Sequence, residues 1–598
     1  MADVKELPKE SVDVNKMPKE RQQEIVEKVW SDYRYALDAK RDLHEKWSRY
    51  EKYYKARQWD HKKVDPKRVK PVVNYVFTTI ESMMPYLTTN MPDPVVLPVQ
   101  PEDEEVARDL TKIVKIILDK NKVRDALQLA ERMRLKFGTA IWKVYFDPTK
   151  LNGLGDIAFE VVDPVNFFID PNEVNDLQNA DFCGTAVRRS LEYIKRRYPD
   201  RAEHIVPDNH HTELAVYGAE EELDPRNTQA TLIEYWTKDQ EKGLVRIVVA
   251  GNTLLRYDTN FYMHGKYPFI RCLNYPIQKS FWGMGEVEQL ENLQDILNKT
   301  LQIVIENLAL ANGQLVIDQT AAGIKDIRSL ANQLWKPGLV IPTNDVNALR
   351  KLDGVVAPAW VINLIQLIKK EIELVTGISP LYLGQAPGSI TAASGILALQ
   401  EQATARLRLK LQEQGRLMEE LVQFIIAYAV EFYTEDRYFR YLDEERQPQW
   451  IQMSRDDLAK TDEQGNLLIP EFDVQVAVGY DAPMSRAYIE QQAMQLYQMG
   501  IIDAVEVLKT MNFPNKEEII ERLEQKAELT GQLGTLPDGM ASPALEAELA
   551  RLTALENRRP TLTSGMNIRN DNSPQDAARQ QARMSPSSSL NLGPQPEE

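Results

Sequence analysis

The sequence predicts an α+β chain, predominantly helical, and three observations carry that prediction. Apolar residues recur at helical spacing over long stretches, above all in residues 283–311 and 396–433. Strand-like segments gather between residues 140 and 273, with a smaller group inside residues 312–357. The chain has 598 residues, enough for several structural units at about 150 residues each. An apolar share of 43%, before glycine, excludes global disorder and a fibrous repeat. No internal period points to a solenoid or a propeller.

Residues 1–18 read as a flexible arm. From Lys19 to Trp59 the spacing of Ile25, Val29, Tyr33, Leu37, Trp47, Tyr50 and Tyr54 predicts one or two amphipathic helices. A further helix over Val73–Leu87 must stop before Pro92 and Pro94. The acids Glu102, Asp103, Glu104 and Glu105 suit the positive end of a helix dipole, and the helical pattern they open runs to about Lys136. Strands are expected at Ala140–Tyr145, Ile157–Val162, Thr231–Thr237, Leu244–Ala250, Thr253–Tyr257 and Phe269–Leu273. A short helix, Leu191–Tyr198, and a polar surface loop, Ala202–Gln229, lie between them. These elements make residues 19–282 one helix-and-strand region.

From Gly283 the texture changes to a long helix ending near Ala311. Val287, Leu290, Leu297, Leu301, Val304 and Leu308 form its main stripe, while Leu293, Ile296, Ile303 and Leu310 widen it, so neighbours are expected on two sides. An α/β insert over 312–357 follows, with strands at Gln314–Ile317, Gly338–Ile341 and Leu349–Leu352 and a helix at Ala321–Leu334. A returning helix spans Pro358–Thr376. Residues 377–395, with four Gly and two Pro, are a loop. Behind them is the longest helix, Ile396–Tyr433, where Gly415 marks a kink. Strands at Tyr438–Tyr441 and Phe472–Val478 complete the region 396–480. Helices Ser485–Gln498, Asp503–Met511 and Lys516–Leu529 fill 481–531. Residues 532–598, rich in Gly, Pro, Ser, Asn and Gln, read as mostly disordered apart from a helical patch at Leu545–Leu555.

Charge and motifs exclude several function classes. With 72 basic and 89 acidic residues the net charge is -17, which disfavours a protein that holds nucleic acid by phosphate neutralisation. No GxxxxGK[ST], GxSxG, HExxH, paired CxxC or strand-linked GxGxxG run occurs, and no acid/base or nucleophile constellation assembles, so neither an enzyme nor a cofactor is expected. The two cysteines, Cys183 and Cys272, sit in strand-like apolar surroundings and read as core thiols. No apolar N-terminal leader and no window near 20 apolar residues is present, so the expectation is a soluble protein made in the cytosol, with no membrane partner.

Weaker signals have a bland reading beside the functional one. Gly283-Met284-Gly285 could cradle an anion at a helix start, or simply pack beneath Trp282. His210-His211 could hold a metal, but adjacent loop histidines without further ligands are solvated. Asp456-Asp457 starts a helix after Ser454. The basic and aromatic run Lys52, Tyr53, Tyr54, Lys55, Arg57, Trp59, Lys62, Lys63, Lys67, Arg68 and Lys70 has nucleic-acid character, yet fits a helix end with core aromatics better.

The order of elements resembles the portal proteins of tailed bacteriophages, in particular the larger portals of short-tailed phages. Local phrases agree: KARQWD at Lys55–Asp60, PVVNYVFTTIESMMPYLTTNMPDPVVLP at Pro71–Pro98, KFGTAIWKVYFDP at Lys136–Pro148 and VDPVNFFIDP at Val162–Pro171. FWGMGEVEQLENLQDILNKT at Phe281–Thr300, and TGISPLYLG with ASGILALQEQ within Thr376–Gln402, extend the match.

The resemblance implies a portal fold with wing, stem, clip and crown regions. The wing would be 19–282 together with the long helix and strands of 396–480. The stem would be 283–311 with 358–376, the clip 312–357, the tunnel loop 377–395 and the crown 481–531. It implies a ring, a dodecamer in this family, at one capsid vertex of the virion, assembled in the host bacterial cytoplasm and conducting double-stranded DNA inward for packaging and outward for ejection.

Implied partners are the terminase large subunit, a head-completion or tail adaptor, and the major capsid and scaffolding proteins. By resemblance Gln385, Ser389, Ile390, Thr391 and Ser394 belong to the tunnel loop. Glu286, Glu288, Glu291, Lys299, Arg406, Arg408 and Lys410 are candidate DNA-facing charges, the acids forming a wall that repels the duplex and keeps it centred. Lys325, Asp326, Arg328, Trp335 and Lys336 are candidates for docking the motor. Two other classes are weighed against this. A terminase or nuclease subunit needs the phosphate loop or ligand cluster that is missing, and a coiled-coil cytoplasmic scaffold needs sustained heptads.

Overall fold

The computed structural model of the chain describes residues 10–207, 229–310, 314–317, 345, 349–352, 360–377, 393–442, 447–477 and 493–510, apart from 64, 67, 90, 459, 462–466 and 469–471. Two units are separated at residues 483 and 484. The first unit opens with strand β1 (Glu10–Ser11) and helices α1 (Lys19–Ala39) and α2 (Arg41–Tyr54). The two helices bury different surfaces. Val26, Val29, Tyr33 and Ala36 of α1 face one sheet, whereas Trp47, Tyr50 and Tyr53 of α2 enter the main core.

Helix α3 (Tyr75–Thr88) begins at Asn74, whose side chain accepts from the Phe77 amide at 3.1 Å, so one orphan first-turn donor is satisfied. It stops before the two prolines as expected, but Asp93–Pro98 then forms an unforeseen strand, β2. Pro94 and Pro98 are tolerated because β2 belongs to a two-stranded sheet and has a free edge. The single helical run expected over 102–136 is two helices, α4 (Glu104–Lys120) and α5 (Val123–Phe137), separated by Lys122 in a left-handed conformation.

Strands β3 (Thr139–Asp147) and β4 (Asp156–Val162) form a three-stranded antiparallel sheet with β10 (Phe269–Leu273). A six-stranded antiparallel sheet has the order β1-β9-β8-β7-β6-β5, from β5 (Phe167–Ile169), β6 (Phe182–Ser190), β7 (Gln229–Asp239), β8 (Gly243–Ala250) and β9 (Thr253–Thr259). The strand-like surroundings of Cys183 are β6, whose bounds the sequence does not mark because its Arg188-Arg189 end carries no strand signal; pairing with β5 and β7 on either side defines it. Helix α6 (Leu191–Arg197) follows β6 directly. His210-His211 lie outside the described residues.

The long helix α7 (Glu286–Leu310) spans about 37 Å at 1.5 Å per residue. Strands β11 (Gln314–Ile317) and β12 (Leu349–Leu352) pair antiparallel, Gln314 opposite Leu352. The other elements expected in 312–357 lie outside the described residues. Helix α8 (Trp360–Thr376) packs back on α7. Helix α9 (Ala393–Phe432) begins three residues earlier than expected and continues unbroken through the buried Gly415.

Beyond α9, β13 (Arg437–Leu442) pairs with an unforeseen β14 (Pro448–Met453). The short helix α10 (Arg455–Leu458) starts where Ser454 meets the Asp457 carboxylate, its amide and hydroxyl donating at 2.8 and 2.9 Å. Strand β15 (Lys460–Thr461) pairs with β16 (Leu467–Leu468), and β17 (Phe472–Ala477) with β2. In the second unit residues 493–498 are helical, and α11 (Ala504–Thr510) starts at Asp503, which accepts from the Glu506 amide at 2.8 Å. Cys183 and Cys272 are free and buried, as expected, and burial pushes the Cys272 thiol up to about 12.

Candidate functional site

Three sets of contacts position the long helix α7. The first is a ladder against α2. Lys46 donates to Glu288 at 3.0 Å, Arg49 to Glu291 at 2.9 Å, and the Tyr53 hydroxyl to Asp295. Each contact joins residues 242 apart, so α2 and α7 run in the same direction in one register, stepping by three and then four on both helices. Beyond α2, Lys62 pairs with Asp295, and Arg68 grips both oxygens of Glu306 at 2.9 and 2.5 Å.

The acidic stripe and the basic, aromatic run, weighed separately in the sequence, are thus one another's partners. The structural reading of the run holds where it is described. Tyr53 and Trp59 are core residues, and the Trp59 indole donates to the Pro71 carbonyl at 2.9 Å. Lys55 pairs with Glu51 at 3.0 Å.

The second set is a buried seam of amides. Gln294, Asn298 and Gln302 lie on one face of α7 at steps of four, and Gln58 meets them from the chain after α2. Gln294 accepts from the Tyr75 amide at 3.0 Å and donates to the Val73 carbonyl at 2.8 Å. Asn298 donates to Gln58 at 2.5 Å, and Gln302 donates to the Val69 carbonyl at 2.9 Å. Sequence reasoning missed this seam. Its signal was three amides at helical spacing inside an otherwise apolar stripe.

The third set is a charged knot at the start of α7. Lys410 of α9 donates to Glu286 at 2.6 Å and to Asn274, and lies 4.0 Å over the Tyr275 ring. Arg134 of α5 donates to the Lys410 carbonyl at 3.1 Å and pairs with Glu131 at 2.5 Å. Burial lowers the proton affinity of the Lys410 amine, with Glu286 opposing the shift. The knot corrects two expectations. The Glu286 and Lys410 side chains are 3% and 2% exposed and paired within their own chain, so neither is a DNA-facing charge.

The glycines before α7 serve close backbone packing. A Cβ on Gly283 would lie 2.5 Å from the Gly138 carbonyl oxygen. The Gly283 amide donates to Thr139 at 2.9 Å and the Met284 amide to the Tyr275 carbonyl at 2.8 Å, so neither is directed at an anion.

Among the remaining candidates, Lys299 is exposed and donates to Gln302 at 2.9 Å. Arg408 is half-buried on α9, and the Arg406 side chain lies outside the described residues. Ser394, expected in the loop, is in the first turn of α9, because the helix starts at Ala393. Gln385, Ser389, Ile390, Thr391, Lys325, Asp326, Arg328, Trp335 and Lys336 lie outside the described residues.

Toward its C-terminal end α7 leaves its core contacts. Val287, Leu290 and Leu297 are buried, whereas Ile296, Ile303 and Leu308 are exposed. Helix α8 exposes Ile362 at 64% and Leu374 at 67%, together with Trp360 and Leu367. Large apolar side chains are thus exposed on both of these packed helices. Among the described residues no group of His, Cys, Asp and Glu could hold a metal ion, and no helix is long and apolar enough to cross a membrane.

A long helix with a returning partner, a small strand-bearing insert between them and a still longer helix behind is the architecture of a phage portal protein. Residues 30–252 match the family described as phage P22-like portal protein, and residues 149–534 match that described as phage SU10 portal protein. The second match covers well over half of the chain, which belongs to the SU10 portal protein family. Its function is that of a portal: the channel at the phage capsid vertex for DNA packaging and ejection. The roles of terminase or nuclease subunit and of coiled-coil scaffold gain no support from these matches. Portal families are structural rather than enzymatic.

Proposed function

We propose that the chain builds a closed ring, twelve subunits by family resemblance, in which α7 and α8 form the stem around the DNA channel. The region holding β11 and β12 is the clip, and residues 377–392 with the start of α9 form the tunnel loop. The wing comprises residues 19–282 with α9 and its strands, and the crown residues 481–531. The observation that carries this reading is the set of large apolar side chains that α7 and α8 expose, at Ile303, Leu308, Ile362, Leu367 and Leu374. Rotational symmetry gives these side chains a neighbour in every subunit and leaves no free end.

The ladder and the knot revise the electrostatics of that channel. Glu288 and Glu291 would reach it only as halves of ion pairs with Lys46 and Arg49, so α7 presents DNA with a compensated surface rather than a bare acidic wall. Lys299, Arg406 and Arg408 are the proposed cationic contacts, and weak exchanging contacts suit a duplex that must keep moving. The clip, with Lys325, Asp326, Arg328, Trp335 and Lys336, is the proposed docking site for the terminase large subunit and then for the head-completion or tail adaptor. Major capsid and scaffolding proteins are the proposed outer partners during assembly in the host cytoplasm. Electron microscopy of the purified protein tests the ring: closed particles with a central opening that admits duplex DNA are expected, and a stable monomer contradicts it.

A further inference from the structure

The two halves of α9 are held by different means. The C-terminal half is fixed by apolar packing and two hydroxyls: Tyr428 donates to the Val144 carbonyl at 3.0 Å, and Tyr433, the residue after the helix, to Asp156 at 2.8 Å. In the N-terminal half the charged anchor is Lys410, which contacts Glu286, Asn274 and the Tyr275 ring together. Between the two anchors lie Gly415 and Gln414. The Gln414 amide is 1% exposed and hydrogen-bonded to no protein group.

Over residues 417–426 the apolar packing of α9 discriminates weakly between registers. Its buried residues repeat in kind every four positions, Leu417 with Leu421, Met418 with Val422, Leu421 with Ile425 and Val422 with Ile426. A displacement of one turn would exchange like for like at these four pairs, but not at Ile425 with Ala429 or at Gln414 with Met418. A buried ion pair contributes little stability beyond an apolar pair of the same volume, and its best-attested use is to specify one arrangement. The contact of Lys410 with three groups at once permits only one position.

We propose that Glu286 and Lys410 are positioning residues for DNA passage: their pair locks the N-terminal half of α9 to the root of α7. The proposal rests on α7 and α8 lining the channel, and it makes the pair the link through which displacement of one helix reaches the other.

The test compares the full-length wild type with K410M, E286M/K410M and E286Q in ring formation, thermal unfolding and the fraction of DNA-filled heads in a packaging assay. K410M strands a buried carboxylate and is expected to unfold at a lower temperature. E286M/K410M removes both charges and should unfold at a higher temperature than K410M and form rings, yet fill severalfold fewer heads. Wild-type filling by the double variant overturns the proposal. E286Q keeps the shape of the slot and loses its charge. It should form rings with faster amide exchange in residues 407–414 and fewer filled heads; unchanged exchange and filling overturn the proposal independently. Failure of the wild type itself to form rings refutes the channel reading instead.

Discussion

Lys46 and Glu288 meet at 3.0 Å across 242 residues of sequence, and the contacts of Arg49 with Glu291 and of Tyr53 with Asp295 repeat that separation. One register therefore aligns α2 with the first half of α7. It fixes the direction in which α7 leaves the core.

The ladder and the amide seam differ in energetic weight. Arg49 and Glu291 are partly solvated, and Arg49→Ala is expected to cost about 1 kcal/mol or less. Asn298→Ala removes a buried amide, leaves the Gln58 oxygen without its donor and takes one of two acceptors from the Gln294 amide nitrogen, at about 1–3 kcal/mol in all. Denaturant unfolding should rank Asn298→Ala as clearly the less stable variant; the reverse order would contradict the seam's role.

Gly283 sits where α7 starts against the α5–β3 junction. A Cβ there would lie 2.5 Å from the Gly138 oxygen and 2.9 Å from the Tyr275 oxygen, both backbone atoms that yield little. Gly283→Ala should lower stability by about 1–3 kcal/mol through overpacking. An unchanged unfolding temperature would show that α7 can shift at its root.

Acid should loosen the region around α9 through His264. Its ring lies among Tyr262, Phe424 and Tyr428, and its Nδ1 accepts from the Lys266 amide at 3.0 Å. Burial, with Lys266 and Lys238 adding repulsion, lowers its proton affinity from 6.5 to about 3. The unfolded chain therefore binds the extra proton between these values, so this contribution is full above pH 6.5 and is lost as pH falls toward about 3. His44, lowered to about 3 by burial and Lys40, acts in the same direction. The unfolding temperature of His264→Phe should fall less steeply below pH 6.5 than that of the wild type. Parallel curves would contradict the assignment.

Much of the fold was legible because it rests on local periodicity. The stripe of α7, the start of α10 after Ser454 and the strand Phe269–Leu273 follow from residue spacing and capping chemistry alone. What escaped depends on distant partners. Strand β2 exists because Phe472–Ala477 lies beside it, and the bounds of β6 are set by β5 and β7 on either side. The candidate site was legible in residue type but not in pairing. Glu286 and Lys410 stood out as charges, but their separation of 124 residues concealed that they neutralise each other in the core.

The central claim is that the exposed apolar side chains of α7 and α8 pack between subunits and close a ring. Its most direct test is the particle mass in solution by native mass spectrometry, for the wild type and for a variant carrying Ile362→Asp and Leu374→Asp. Both substitutions lie on exposed positions, so the variant should fold but remain a 68.6 kDa monomer, while the wild type forms particles of twelve times that mass. A monomeric wild type, or a variant that still forms the full particle, would contradict the account.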